Sequence, residues 1–165
     1  MRLTEEQQVW LTRPTLLPPA LRQVEGTRLW EFAEPYSVSL PPPHWPTRLE
    51  IPAGWRFDRA SIPSIVPTWL ISKDHLGCLG PAAHDAGYRC RGSFLALPPG
   101  LEPTVPYLTD GGGTPVEVSV RRADVDRWLL LYLLRQRVIP WRAWSAYYAV
   151  SWYWGAVEAI GYRLW

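Results

Sequence analysis

The stretch GPAAHDAGYRCRGSF, residues 80–94, places a histidine and an aspartate side by side, with a tyrosine four residues after the histidine. On a helix, His84 and Tyr88 share one face, and Asp85 lies about 100° around the axis. Gly87 costs a helix about 1 kcal/mol relative to alanine, so we expect a neighbouring backbone or a ligand to approach closely there. The pair could be an exposed polar stripe, a set of metal ligands or part of a catalytic site.

A second helix is predicted for RADVDRWLLLYLLRQRV, residues 122–138, and Asp126 lies on its apolar stripe. A carboxylate in that position must find hydrogen-bond donors. The N–H of His84 and the O–H of Tyr88, on an antiparallel helix, are suitable donors. The other ring nitrogen of His84 would then be an acceptor, which is the arrangement of a general base. The alternative is that Asp124 and Asp126 stabilise the start of the helix.

Extended segments come first in the chain and helices follow, so the predicted fold class is α+β. We expect a single domain over residues 1–165. Its predicted parts are an N-terminal arm with a short helix capped at Thr4 (1–26), extended segments and a loop (27–70), the His-Asp helix (74–91), a β-hairpin insertion with DGGG as its turn (92–120) and two C-terminal helices (122–165).

The composition is that of a globular protein, with 47% hydrophobic and 19% charged residues in 165. A net charge of +2 is too mild to indicate specific nucleic-acid binding. The 11 tryptophans require a large packed interior or an interfacial partner. The start, MRLTEEQQVW, has no apolar core region, so no signal peptide is predicted.

Other residue types that often carry chemistry give weaker patterns. Ser61 could be a nucleophile, but no G-x-S-x-G turn surrounds it, and a turn-forming role is the simpler interpretation. His44 and His75 have no metal-ligand spacing with each other or with the cysteines, so we expect surface histidines and no zinc site. Cys78 and Cys90 on one helix would lie about 18 Å apart, which predicts reduced thiols and fits a cytosolic origin.

The last helix, within residues 141–165, allows three interpretations. Its length could span a bilayer. However, Trp and Tyr run through its middle, and polar residues interrupt it. It could instead be buried in an aromatic core, or it could lie at a lipid interface.

Three strings in order carry a resemblance: FDRASIPS (57–64), AAHDAGYR (82–89) and RADVDRWLL (122–130). Together they resemble an uncharacterised domain family common in tailed-phage and prophage genomes, over roughly residues 47–161. The resemblance implies a phage or prophage protein that is made in the host cytoplasm and could be associated with the virion.

The helical half also resembles the small secreted phospholipase A2 enzymes of bacteria and fungi. Their histidine helix corresponds to HDAGYR (84–89), and a helix with an aspartate ahead of apolar residues and a tyrosine-rich helix follow in both. The resemblance implies His84 as the base, Asp126 as its orienting acid and Tyr88 as a hydrogen-bond donor to Asp126. It implies Asp85 as a Ca²⁺ ligand, with Asp58 as the best substitute for the missing calcium loop.

The resulting functional hypothesis is hydrolysis of a phospholipid ester by water that His84 activates, with a cation stabilising the oxyanion. Phospholipid or a membrane surface would be the partner. The alternative is a non-catalytic virion or tail-assembly protein that uses the same scaffold to dock on other virion proteins or on a membrane. A third possibility is membrane attachment through the last helix without chemistry.

Overall fold

The computed structural model describes residues 2–13, 17–27, 29–58, 79–94 and 103–159. The helices in these ranges are α1 (Glu5–Leu11), α2 (Leu79–Arg89), α3 (Arg122–Arg135) and α4 (Pro140–Ala159). The strands are β1 (Leu21–Gln23), β2 (Leu29–Phe32), β3 (Tyr36–Ser39), β4 (Arg48–Ile51), β5 (Arg56–Asp58), β6 (Ser93–Phe94), β7 (Tyr107–Thr109), β8 (Pro115–Val116) and β9 (Val118–Ser119). Helices and antiparallel sheets confirm the predicted α+β class.

The described strands form three small antiparallel sheets. Their orders are β1-β2-β5, β3-β4-β7-β8 and β6-β9. The alternation of buried and partly exposed residues along β4, RLEI, directs Leu49 and Ile51 into the core. β5 ends at Asp58 and contacts α2, so the first sheet reaches the helix that carries His84.

The predicted hairpin over residues 92–120 forms, but it is not a separate insertion. The DGGG turn joins β7 to β8, where Asp110 Oδ1 accepts hydrogen bonds from the backbone N–H groups of Gly112 (2.9 Å) and Thr114 (2.8 Å). On its other edge β7 pairs with β4, so it is an inner strand of the larger sheet. Near the two ends of the predicted hairpin, β6 pairs with β9, so that Ser93 lies opposite Ser119 and Phe94 opposite Val118.

The N-terminal residues are part of the core rather than an arm. Thr4 caps α1 as predicted, in a capping box with Gln7. Trp10 is fully buried, with its ring 5.4 Å from that of Tyr132 on α3 and the Arg135 guanidinium 4.3 Å above it. β1, which lies in a stretch predicted as a loop, pairs with β2.

α3 is buried on almost every side. One hydrophobic cluster unites the sheets with α2 and one side of α3, including Trp128 and Tyr132. A second cluster joins the other side of α3 to α4, where Leu129, Leu130 and Leu133 meet the small residues of α4. The middle of α3, residues 128–134, is apolar all round, as expected for a helix segment in such an interior position.

α2 begins no later than Leu79; the predicted residues 74–78 lie outside the described ranges. The helix ends at Arg89, two residues before the predicted end. Arg91 and Gly92 take left-handed backbone conformations, with φ of 50° and 67°, and the N–H of Gly92 bonds back to the carbonyl of Gly87 (2.9 Å). A left-handed residue followed by glycine is a common way for a helix to end.

Within the described ranges, no helix combines the length and the apolar character needed to cross a membrane.

Candidate functional site

A buried carboxylate, that of Asp126, lies at the centre of the candidate site. Oδ1 receives the hydroxyl of Tyr88 at 2.7 Å and lies 3.1 Å from Nε2 of His84. Oδ2 accepts from Nη1 of Arg122 at 3.2 Å and from the hydroxyl of Ser151 at 3.3 Å. A carboxylate out of contact with water needs such donors. Four of them, from three helices, make Asp126 the point where α2, α3 and α4 meet.

Helix geometry explains why two α2 residues reach one oxygen. His84 and Tyr88 are four residues apart and therefore lie one turn apart on the same face. Their rings are 4.3 Å apart, centroid to centroid, and tilted by 35°. The face that carries them packs against α3, which brings both polar groups onto Asp126. The structure therefore brings together the three residues predicted as catalytic; their chemical roles stay predictions.

The hydrogen bond to Asp126 fixes the tautomer of His84. An ionised carboxylate only accepts, so Nε2 must carry the hydrogen that it donates to Oδ1. Nδ1 is then the basic nitrogen, and it makes no hydrogen bond within the described ranges. The residue is only 3% exposed. An imidazole held in this way has a fixed orientation. Because His84 is almost fully buried, a substrate reaches Nδ1 only if the residues that cover the ring move.

The hydroxyl of Tyr88 donates a hydrogen bond to Asp126. Burial, together with the adjacent negative charge of Asp126, raises the pKa of its phenol far above the ordinary value. The hydroxyl therefore stays protonated and continues to donate to Asp126. Its part in the site is to hold the acid in place rather than to transfer a proton.

The two glycines of α2 lie against α3. The space beside Gly87 is filled by the side chain of Val125 on α3. At Gly80, about two turns earlier on α2, an added Cβ atom would lie 3.2 Å from the carbonyl oxygen of Leu129. Both glycines are thus explained by close packing of the two helices. The close approach expected at Gly87 is observed, but it is made by the side chain of Val125 rather than by a backbone or a ligand.

Asp85 and Asp58, the two residues predicted as metal ligands, are electrostatic neighbours. Burial raises the pKa of Asp85, and the negative charge of Asp58 adds to the rise, while Arg89 and His84 oppose it. Nη2 of Arg89 lies 3.0 Å from Oδ2 of Asp85. No group of three or more potential metal-ligating side chains occurs among the described residues. Their roles as ligands stay predictions.

Comparison with known families comes to one result. A protein-family model, described as a protein of unknown function (DUF1353), matches residues 30–150, which is most of the chain. The chain belongs to the DUF1353 family. No curated protein and no solved structure shows a significant match. The predicted membership of an uncharacterised domain family is therefore confirmed.

The DUF1353 region contains almost all of the candidate site. His84, Tyr88, Arg122 and Asp126 fall within the matched residues, and Ser151 is the first residue after them. The same region holds the contact of α2 with α3 that positions the histidine. The site is thus a feature of the DUF1353 portion of the chain rather than of its ends.

Two residues of this DUF1353 site were missed in the sequence. Arg122 precedes Asp126 by four residues on α3, a spacing that favours an ion pair and could have predicted the contact. Ser151 comes from α4, and no local pattern indicates which α4 residue faces Asp126. Of the two acids considered for the helix start, Asp124 lies in the first turn of α3, whereas Asp126 lies beyond it and bonds to the groups described above.

Of the remaining candidates, His44 and Cys90 lie in the described ranges, and neither bonds to Asp126. His44 was predicted at the surface, but it is half-buried: its ring lies edge-on to Trp128 at 5.7 Å, and Nε2 is 3.8 Å from Oδ2 of Asp124. Burial lowers the pKa of His44, against the opposing effect of Asp124. Cys90 is a free thiol, as predicted. Ser61, His75 and Cys78 lie outside the described ranges.

Proposed function

We propose that this DUF1353 chain is a phospholipase A2-like hydrolase of phage or prophage type that cleaves a lipid ester. The observation that supports this most directly is the contact of His84 Nε2 with Asp126 Oδ1 at 3.1 Å. An imidazole that donates from one nitrogen to a buried carboxylate presents the other nitrogen as a base of defined direction. Tyr88 and Arg122 hold that carboxylate from two further sides.

The reaction proceeds through water, without a covalent enzyme intermediate. Nδ1 of His84 takes a proton from water as the water oxygen bonds to the ester carbonyl carbon, which gives a tetrahedral oxyanion. The oxyanion collapses and breaks the bond from carbon to the alcohol oxygen, and His84 returns the proton to that oxygen. The products are a fatty acid and a lysophospholipid. Asp126 stabilises the imidazolium while the proton is on His84.

A cation would assist by stabilising the oxyanion, and Asp85 with Asp58 is the carboxylate pair available to hold it. Ca²⁺ usually takes six to eight oxygen ligands. The described residues supply two carboxylates, one of them already paired with Arg89, and this set alone does not fit Ca²⁺. The steps above therefore pass through no metal, and metal dependence is a separate arm of the experiment.

The test is release of fatty acid from vesicles of mixed phospholipids, with millimolar Ca²⁺ or with chelator. We compare the wild-type chain with His84→Gln. The glutamine amide can still donate to Asp126 but offers no base, so the fold should be retained and release should be lost. His44→Gln is the matched control, because His44 is a half-buried histidine that packs against Trp128 and makes none of the bonds to Asp126.

Release that is lost in His84→Gln and kept in His44→Gln supports the proposal. Release that both variants retain, or no release by the wild-type chain under either metal condition, overturns it. Circular dichroism and the thermal midpoint of each variant show whether the fold is intact.

A second candidate is a non-catalytic virion or tail-assembly protein. Two observations favour it: His84 is only 3% exposed, and the side chain of Val125 fills the space beside Gly87. The polar groups around Asp126 are therefore enclosed by helix packing, which suits a structural role. In that case the four bonds to Asp126 serve to join three helices. A chain of this kind releases no fatty acid but co-purifies with assembled tails or virions, whereas a hydrolase shows release by itself.

A further inference from the structure

The helix α4 has a buried face of small apolar residues and an exposed face of large aromatic residues. Small residues, Ala143, Ala146 and Val150, are fully buried against α3. On the other side, Trp141, Tyr148 and Trp152 are 49%, 52% and 70% exposed. At about 100° per residue these three side chains fall within an arc of about 40°. We call Trp141, Tyr148 and Trp152 the aromatic face.

Neighbouring rings hold part of the aromatic face in order. Trp144 stacks on Tyr148, with centroids 5.7 Å apart and planes inclined by 28°. Tyr147 packs against both of these rings. Such an array loses little conformational freedom when a partner covers it, which lowers the cost of binding. Large exposed apolar groups gathered on one helix face are uncommon on a surface that meets only water.

The charges nearest in sequence to the aromatic face are those of arginines. No aspartate or glutamate occurs in the sequence between Asp126 and Glu158, whereas four arginines do. Arg137 is exposed just before α4 begins. The guanidinium of Arg142 lies 5.2 Å from the centroid of the Trp141 ring. A helix face that presents aromatic side chains beside the guanidinium of Arg142 is complementary to a partner that is both apolar and anionic.

We propose that the aromatic face binds the interfacial region of an anionic lipid bilayer, with α4 lying along the surface. Indole and phenol rings favour this depth because they are apolar with one polar tip. Arginine at the same level is attracted by anionic head groups. Spanning is not part of this proposal, because α4, although 20 residues long, is not apolar enough to cross a bilayer.

This face adjoins the candidate site. Ser151, whose hydroxyl bonds to Asp126, also lines the shallow cleft between Tyr148 and Trp152. The inference rests on the proposed function and extends it, because it names the surface that would bring the enzyme to its lipid substrate. Binding itself does not require catalysis and can be measured without it.

The test is co-sedimentation with vesicles of phosphatidylcholine alone or of phosphatidylcholine mixed with phosphatidylglycerol. We expect binding to the mixed vesicles that weakens as salt rises, and much weaker binding to phosphatidylcholine. Replacing the three residues of the aromatic face by alanine should weaken binding at least about tenfold. Trp45→Ala is the matched control, because Trp45 is 45% exposed but lies in the loop before β4.

A second pair of variants tests the charge. Arg137→Asn, which suits the left-handed φ of 60° at that position, should weaken binding to the mixed vesicles about fivefold. Arg2→Asn removes the same charge from the N-terminus, and we expect a much smaller change. Equal losses for both arginine variants would mean general charge attraction and would overturn the assignment to this face.

Two further outcomes decide against the proposal. Unchanged binding in the triple alanine variant means that the lipid contact is elsewhere. A concentration-dependent dimer that the triple variant abolishes, without vesicle binding by the wild-type chain, assigns the face to a second copy. His84→Gln should bind vesicles as the wild type does, so a failed hydrolysis test and a failed binding test remain distinguishable.

Discussion

Gly87 of α2 lies directly against Val125 of α3, so closely that a Cβ atom built on Gly87 would be 2.5 Å from Cγ1 of Val125. Real side-chain atoms do not approach to that distance. The valine is fully buried and β-branched, which leaves it little freedom to turn away. The separation of the helix that presents His84 from the helix that presents Asp126 is therefore set by the missing side chain of this glycine.

Gly87→Ala should destabilise the fold by about 1–3 kcal/mol, because overpacking outweighs the gain in helix propensity. The matched variant is Gly155→Ala on α4, where a Cβ meets nothing within 4 Å and should be neutral or slightly stabilising. Urea unfolding of the two variants measures the difference. Equal stabilities would show that the helices adjust without cost.

Asp126→Asn should destabilise the protein by about 3–5 kcal/mol, since the amide leaves Arg122 without its charged partner and cannot satisfy all four donors. Tyr88→Phe removes one of the four bonds and should cost about 2 kcal/mol. Denaturant titration of both variants gives the comparison. A loss below about 1 kcal/mol for Asp126→Asn would contradict a central role for this carboxylate.

Asp85 should make the stability depend on pH in a defined direction. Its pKa is raised in the folded chain above the ordinary 3.8, so the unfolded chain loses this proton first as pH rises. Stability therefore falls as pH rises from 3.8 through the folded pKa, and the loss persists above it. Asp85→Asn should gain stability relative to wild type at neutral pH, and the gain should shrink below pH 3.8.

Urea unfolding at a series of pH values measures this dependence, and Asp110 provides a control because its pKa is shifted in the opposite direction. Backbone N–H groups of Thr114 and Gly112 lower its pKa, so its contribution is present at neutral pH and is lost as pH falls through the folded pKa. Asp110→Asn should thus be less stable than wild type at neutral pH, with the gap closing in acid. Differences that do not change with pH in either variant would show that neither carboxyl titrates as described.

Trp10→Ala should cost about 3–5 kcal/mol, because the ring is fully buried between Tyr132 and the core and its removal leaves a cavity. Val9→Ala, one residue earlier and exposed, should change stability by about 0.5 kcal/mol or less. Thermal unfolding of both variants makes the comparison. Similar midpoints would mean that α1 is indeed a loosely attached arm.

Local patterns in the sequence predicted much of the helical half. The capping of α1 at Thr4, the start of α3 at Arg122 and the shared face of His84 and Tyr88 follow from spacing within one helix, whereas α3 ends at Arg135, three residues before the predicted end. The position of Asp126 on an apolar stripe was enough to suggest that it needs donors. These features depend on residues that are near one another in the chain, where periodicity carries the information.

Contacts between distant segments could not be read in the same way. β7 is only three residues long, and its place beside β4 depends on a pairing across almost 60 positions. Ser151 and Val125 reach the site through the packing of whole helices. The burial of His44 against Trp128 likewise arises from the course of the loop before β4. Each of these is a tertiary effect for which neither propensity nor pattern gives a signal.

Because α3 contributes residues to both hydrophobic clusters, unfolding of α3 would disrupt both clusters at once. Loss of its contact with α4 would bring Leu129, Leu130 and Leu133 into water, while loss of its contact with the sheets would expose Trp128 and Tyr132. The two halves are thereby coupled through one shared element. Denaturation should then be a single cooperative step, with fluorescence and circular dichroism reporting coincident curves.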